Sequence, residues 1–373
     1  MKWIGLYLAV GLAAVLASTL ATWLARRLAW KLDFLDVPLR QQHKQHQTPT
    51  PLLGGAAMVV AWTVVTLGGA VAAMFLGPRL PPALQEYTQG IRTMLPLLGV
   101  IAGGGVALGV MGLVDDKRPL HWPVKLGLQM LLCAVVIAVG PKLRITLFFL
   151  PPALSWAVTL AWLLFIINAF NFFDNMDGLA AGVAFIASLI FAFVAGFRGQ
   201  VFVALLGAAT AGVTLGYYFF NRHPASIFMG DSGSHFLGYL LAVQGCLTSF
   251  YQDQAPTVAP VFIPVMVLAL PIFDTFAVMV IRVRQGRSIF YGDHNHISHR
   301  FLRLGVSRPT AVLLVHMLML ALGLGALTLL FVPTYGVLII FMQTAAVLAF
   351  VTILHSATPD PNGDGNGNEG DKK

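Results

Sequence analysis

What constrains this chain most is the recurrence, from end to end, of apolar runs about twenty residues long. A hydrocarbon core about 30 Å thick takes roughly 20 helical residues to cross. In lipid every backbone N–H and C=O must be satisfied inside a helix or a closed barrel. Hydrophobic residues make up 57% of the 373 positions and charged ones only 10%, with a mean hydropathy of +0.79. The expected class is therefore an all-α polytopic integral membrane protein, with strands improbable.

Eleven spans are expected, with boundaries good to a few residues: about 3–24, 52–76, 95–114, 124–140, 150–170, 178–197, 201–220, 234–250, 258–281, 311–331 and 336–354. Residues 1–355 then form one membrane domain and residues 356–373 a disordered tail. That tail ends in PDPNGDGNGNEGDKK, too rich in Gly, Asn and Asp to bury a core. Its DPNGDGNGNEGD stretch has poor register for a calcium loop. Residues 1–24 have no small-residue cleavage site ahead of a soluble mature protein, so span one is expected to stay.

An odd number of spans puts the termini on opposite faces. The face holding the C-terminus carries 17 of the 23 Lys and Arg residues; the other holds Lys2, Arg79, Arg92, Lys142, Arg144 and Arg198. The positive-inside rule makes the first face cytoplasmic and places the N-terminus outside. The +8 formal charge is thus mainly a topology signal, with attraction to anionic head groups or phosphates second. Cys133 and Cys246 fall inside spans and read as apolar core residues. No repeat of 20 to 50 residues and no nucleic-acid motif is visible.

Five loops on the cytoplasmic face hold nearly all the reactive side chains, and no His lies in a loop on the other face. Asp115 and Asp116 end span three, where the helix macrodipole disfavours anions. A divalent cation, Lys117, Arg118 or Lys125 is needed to compensate them, unless this is a solvated helix end. NAFNFFDNMDGL sets Asn168, Asn171, Asp174 and Asp177 three residues apart between two apolar runs. On a straight helix Asp177 would lie about half-way round from Asn168. Convergence of the four therefore predicts a break near Asn175 to Gly178, against the plainer reading of ordinary capping.

GDSGS puts Asp231 on a Gly-flanked turn at the start of a span, where hard oxygen ligands and backbone amides suit magnesium and phosphate together. A simple helix cap is the competing use. In DHNHISHR, His294, His296 and His299 accompany Asp293, Arg300 and Arg303. This is a cluster suited to gripping a pyrophosphate, with zinc the other use of clustered His. Asp274 in LPIFDT reads equally well as a functional and as a structural acid.

Taken together these segments resemble the polyprenyl-phosphate N-acetylhexosamine-1-phosphate transferase family, over most of residues 33–310. The motifs run in family order: Pro49, Pro51, Gly54 and Gly55; the Asp-Asp pair with Lys125; the Asn-x-x-Asn-x-x-Asp-x-x-Asp-Gly-Leu run; Phe-Met-Gly-Asp-x-Gly-Ser; and the His-rich loop. The resemblance implies transfer of a sugar 1-phosphate, most of all GlcNAc-1-phosphate, from a UDP-sugar to undecaprenyl phosphate with release of UMP. It implies a bacterial cytoplasmic membrane protein that uses magnesium, with manganese an alternative, and is compatible with a homodimer.

By the same resemblance Asp231 and Asp174 ligate metal, and Asp115, Asp116, Asp174 and Asp177 form the catalytic set. Lys125, Asn168, Asn171, Asn221, His296, His299 and Arg300 meet the substrates. Departures from the family pattern stand at Asn175, Ser226 and Ser298, and in the loop before His46 that carries His43 and Lys44. The related phospho-MurNAc-pentapeptide transferase is a second enzymatic reading, set back by the eleven spans and the DHNHISHR loop. A secondary transporter would place ionisable groups at midplane on repeated, broken helices; here they crowd one interface.

Overall fold

The computed structural model describes residues 3–37, 48–77, 82–145, 151–248, 257–286 and 296–357, the side chains of 82–88 and 354–357 excepted. His43, Lys44, His46, Asp293, His294 and the tail beyond residue 357 lie outside the described residues. Among the described residues nine helices are long and apolar enough to cross a membrane. These are α1 (Ile4–Lys31); α2 (Gly54–Thr63) joined through one π turn to α3 (Gly69–Leu76); α4 (Pro82–Lys117); α5 (Trp122–Val139); α6 (Pro152–Phe173); α7 (Leu179–Phe197); α8 (Val201–Asn221); α13 (Arg308–Thr328); and α14 (Thr334–Ala357). The chain is an all-α, multi-pass membrane protein.

The count of eleven is not confirmed, for two physical reasons. The run expected at 234–250 forms α9 (Gly230–Leu247), whose Asp231, Ser232, Ser234, His235 and Gln244 leave it too polar to qualify by composition. It is sheathed in protein instead: Ser232, Ser234, His235 and Gln244 are all buried. The run expected at 258–281 breaks into α10 (Ile263–Val267) and α11 (Ala269–Arg284), which meet at 65°. Pro271 lacks the N–H that would bond to Val267, and its ring crowds that carbonyl, so one straight helix cannot run through. Counted as one, the bent pair raises the total to ten.

Packing follows side-chain size. Ile4, Leu8, Leu12, Leu16, Leu20, Leu24 and Leu28 recur every four residues along α1 and are all largely exposed, the face expected to meet lipid. Its opposite face carries Ala14, Ser18 and Thr22, all fully buried. Ser18 Oγ donates to the Val213 carbonyl at 2.7 Å, so small residues let α1 and α8 approach closely, as in other membrane helix pairs. Against the expectation that strands are improbable, β1 (Leu35–Asp36) pairs antiparallel with β2 (Thr50–Pro51), with Leu35 opposite Pro51; the pair is two residues long and lies outside the spanning helices.

That pairing ties the Pro-x-Pro loop to the start of α9. Phe228 N–H donates to the Pro51 carbonyl at 2.8 Å, and the Gly54 and Gly55 amides donate to the Phe228 and Met229 carbonyls at 3.0 and 3.1 Å. A methyl on Gly54 would lie 2.7 Å from the Phe228 carbonyl oxygen and one on Gly55 2.5 Å from that of Met229. The paired glycines are what this backbone-on-backbone contact requires.

Candidate active site

The C-terminal ends of α4, α6 and α8 and the N-terminal end of α9 meet at one end of the bundle. Each contributes a polar group that its own helix end cannot satisfy. Asp115 and Asp116 sit in the last turn of α4, and the compensation demanded there has two sources. Asp115 is buried; its Oδ1 accepts the Leu120 N–H at 2.6 Å and its Oδ2 pairs with Lys125 Nζ at 2.8 Å. The same ammonium also pairs with Asp231 Oδ2.

Asp116 faces the positive end of α9: its oxygens accept the Asp231 N–H at 2.7 Å and the Ser232 N–H at 3.2 Å. This is anion binding at a helix N-terminus, with a side chain as the anion. Gly230 holds the turn that permits it, with φ of 62°. A Cβ there would lie 2.5 Å from Asp116 Oδ2.

The break expected near Asn175 to Gly178 is present. Helix α6 stops at Phe173, Asp174 forms its C-cap, and Gly178 caps α7 in the left-handed region with φ of 77°. The four Asn and Asp residues, expected to converge, are divided by it. Asn171 Nδ2 donates to Asp231 Oδ1 at 2.8 Å and to Ser234 Oγ at 3.0 Å. Asn168 lies one turn deeper, bonded at 2.8 Å to Gln129 Oε1; Gln129 Nε2 is 3.2 Å from His235 Nε2. Asp177 turns the other way, to His223 Nδ1 at 2.9 Å and the Ala225 N–H at 3.1 Å.

Asn221 braces the break from behind. Its Oδ1 accepts the Gly178 N–H at 2.9 Å and its Nδ2 donates to the Ile227 carbonyl at 3.0 Å. Both ends of that amide are thus engaged by protein. Asp174 stays with the cluster: burial, then the charges of Asp231, Asp116 and Asp177, push its carboxyl up to about 8. Proton uptake or a bound cation relieves such crowding of carboxylates.

The His-rich segment reaches the cluster through α12 (Ile297–Arg303). Asp274 of α11 is buried and accepts from the Ile297 N–H at 2.7 Å, while its Oδ2 lies 2.6 Å from His296 Nδ1. It therefore caps α12 and fixes the His296 ring, so the acid left open by the sequence is a positioning group. Ser298 Oγ donates to Asn175 Oδ1 at 2.5 Å, docking α12 on the α6 break. Two of the departures from the family pattern are thus partners of each other. His299 and Arg300 are buried in the same helix, and the Arg282 guanidinium lies 5.7 Å from the centroid of the Phe172 ring.

Sequence reasoning missed Gln129 and His235, though a signal existed. Each stands four residues after a site residue, Lys125 and Asp231, and so shares its helix face. His223, the partner of Asp177, carried no such spacing.

Among the described residues no three carboxylate, imidazole or thiol groups form a ready-made metal cage. Magnesium seldom needs one, since one or two carboxylates and substrate phosphates usually complete its shell. Asp231 and Asp174 suit that mode, because Lys125 marks a cation position beside Asp231 and Asp174 sits in uncompensated negative charge. The arrangement gathers carboxylates, an ammonium and a helix N-terminus already engaged by Asp116 at one end of the bundle, a setting suited to phosphate chemistry aided by a cation.

Comparison with known proteins points the same way. Residues 98–249, which span α9 and the Asp115 to Asp174 elements, match glycosyl transferase family 4. The chain is similar to the "Probable undecaprenyl-phosphate N-acetylglucosaminyl 1-phosphate transferase" of Bacillus subtilis, 30% identical over 86% of both chains. It is 31% identical to the "Decaprenyl-phosphate N-acetylglucosaminephosphotransferase" of Mycobacterium tuberculosis, over 92% of this chain and 88% of the relative. A "Phospho-N-acetylmuramoyl-pentapeptide-transferase" of Geobacillus kaustophilus is 34% identical but aligns with only 55% of this chain and 64% of its own length. With that likeness running nearly end to end, the chain belongs to glycosyl transferase family 4.

Proposed function

We propose that this protein transfers GlcNAc-1-phosphate from UDP-GlcNAc to undecaprenyl phosphate, releasing UMP, as the first membrane step of cell-envelope polysaccharide synthesis. The observation that carries the reading is the junction of Asp115, Asp116, Asn171 and Asp231 on Lys125 and the α9 N-terminus. It is supported by the near full-length relatives, one named as an undecaprenyl-phosphate N-acetylglucosaminyl 1-phosphate transferase and one as a decaprenyl-phosphate N-acetylglucosaminephosphotransferase.

In the reaction a lipid phosphate oxygen attacks the β-phosphorus of the donor. The new P–O bond joins sugar phosphate to lipid, and the diphosphate P–O bond breaks to release UMP. Repulsion between the two anions is the main obstacle, so catalysis is largely positioning and charge stabilisation. Asp231 and Asp174 would hold magnesium, or manganese in its place, and that cation supplies Lewis-acid charge neutralisation at the diphosphate.

Lys125 neutralises phosphate and bridges Asp115 and Asp231. Asp116 holds the start of α9 in register and stands beside the attacking group. Asn171 orients Asp231; Asn168, through Gln129 and His235, supports it from below. Asp177 and Asn221 fix the far side of the α6 break, where they shape the nucleotide wall. His296, His299 and Arg300 approach the diphosphate on α12. Direct attack suits this layout, with Asp115 or Asp116 assisting the acceptor.

The site end is the cytoplasmic one in this reading, the membrane is the bacterial inner membrane, and the N-terminus lies outside. The shorter alignment with the pentapeptide transferase makes that activity the second reading. Purified protein given magnesium, undecaprenyl phosphate and a panel of UDP-sugars separates the two. UMP release with UDP-GlcNAc alone supports the proposal; release only with UDP-MurNAc-pentapeptide, or none with any donor, refutes it.

A further inference from the structure

A second polar feature sits at the same end of the bundle, where α1 leaves the membrane. A cavity of about 470 Å³ opens there, lined by Arg26, Arg27, Trp30, Thr50, Ala225 and Ser226 among others. Its lining includes two guanidinium groups and no carboxylate among the described residues. Both guanidiniums are held by aromatic faces: Arg27 lies 3.7 Å from the centroid of Trp23, and Arg26 5.7 Å from that of Phe220. Stacking of this kind leaves the N–H edges of a planar guanidinium directed outward, the geometry that grips phosphate oxygens.

The surroundings say where the phosphate comes from. The exposed Leu16 and Leu20 of α1 lie on the side of the helix that carries Arg27 and the exposed Trp30 a few turns further on. An aromatic at the end of a lipid-facing helix marks the head-group level, and arginines there attract anionic lipids. A lipid whose chains lie along the leucines would place its phosphate between Arg26 and Arg27. We propose that this cavity is a binding site for the phosphate of an anionic membrane phospholipid, separate from the donor and acceptor sites.

Occupancy would be felt at the catalytic cluster. Ala225 and Ser226 wall the cavity, and the Ala225 N–H is held by Asp177, on the α6 break. Ser226 Oγ is bonded at 2.9 Å to the Phe220 carbonyl near the end of α8.

The test compares wild type with the Arg26→Gln, Arg27→Gln double variant. Both are released from nanodiscs of mixed phosphatidylcholine and phosphatidylglycerol, and retained lipid is read by native mass spectrometry. Each arginine near the surface contributes roughly fivefold to anionic lipid binding, so retention of phosphatidylglycerol should fall about 25-fold. Unfolding temperature and UMP release in pure phosphatidylcholine should stay at wild-type values, and the Arg26→Lys, Arg27→Lys pair should keep more lipid than the Gln pair but less than wild type, because an ammonium retains the charge and loses the stacked fork. Equal retention in the Gln variant overturns the proposal. So does displacement of the lipid by inorganic phosphate, which would make this a free-phosphate site. A raised KM for the UDP-sugar with unchanged lipid retention would assign the cavity to the donor and overturn it too.

Discussion

Asp174 offers the sharpest quantitative test, because burial and neighbouring carboxylates together suppress its charge. Burial and the neighbouring Asp231, Asp116 and Asp177 raise it to about 8, so near neutral pH it is mostly protonated. A divalent ion must displace that proton to use the carboxylate. Below the raised value, affinity should gain about tenfold per pH unit; between about pH 6 and pH 8 the ionised fraction, and with it the affinity, rises about 50-fold. From about pH 8 to pH 9 the further gain is less than about twofold.

The sign for stability follows from the same shift. Without metal, folded Asp174 binds its proton more tightly than the unfolded chain does, so stability falls as pH rises from about 4 to about 8 and levels off above. The slope is about 1.4 kcal/mol per pH unit at most. Isothermal titration of magnesium into detergent-purified protein, in buffers of different ionisation enthalpy, reads both affinity and protons released. About one proton should leave per ion near pH 7, and Asp174→Asn should weaken binding and flatten its pH dependence. A wild-type affinity independent of pH, or an unchanged slope in Asp174→Asn, refutes the reasoning.

Three further outcomes follow from the geometry. Lys125→Met leaves Asp115 and Asp231 facing each other without their shared cation; it should cost about 3 kcal/mol in denaturation by sodium dodecyl sulfate and lower UMP release about 100-fold. Gly230→Ala must strain a φ of 62° and collide with Asp116; a loss of about 2 kcal/mol in unfolding, with activity lost in proportion to the displaced α9 terminus, is expected. Asp274→Asn loosens His296 and the α12 cap. If it acts by misplacing that ring, kcat should fall by up to about 100-fold with KM for the lipid little changed, as measured by steady-state UMP release.

Much of this was legible in the chain because membranes simplify the code. Apolar runs gave the helices, and the break expected near Asn175 to Gly178 is present, although the convergence of Asn168, Asn171, Asp174 and Asp177 that argued for it is not, since Asp177 turns away to His223. The location of Asp115, Asp116 and Asp231 at facing helix ends was legible for the same electrostatic reason. What the sequence hid were pairings that depend on which helices touch. Asn221 reads as a ligand but serves as a brace. Asp274 reads as open but caps α12, and Asn175 and Ser298 read as separate departures yet bond to each other. The span count strayed where hydropathy and burial part: α9 is polar because protein, not lipid, surrounds it.

The central claim is that the junction on Lys125 moves a sugar together with its phosphate. Donor labelled with radioactive phosphorus at the β position tests this without assuming any residue role. Wild type with magnesium and undecaprenyl phosphate should place the label in the lipid product, with unlabelled UMP in the aqueous phase, and Asp231→Asn should abolish both. Label released into water as UDP, with unlabelled sugar on the lipid, would contradict the account.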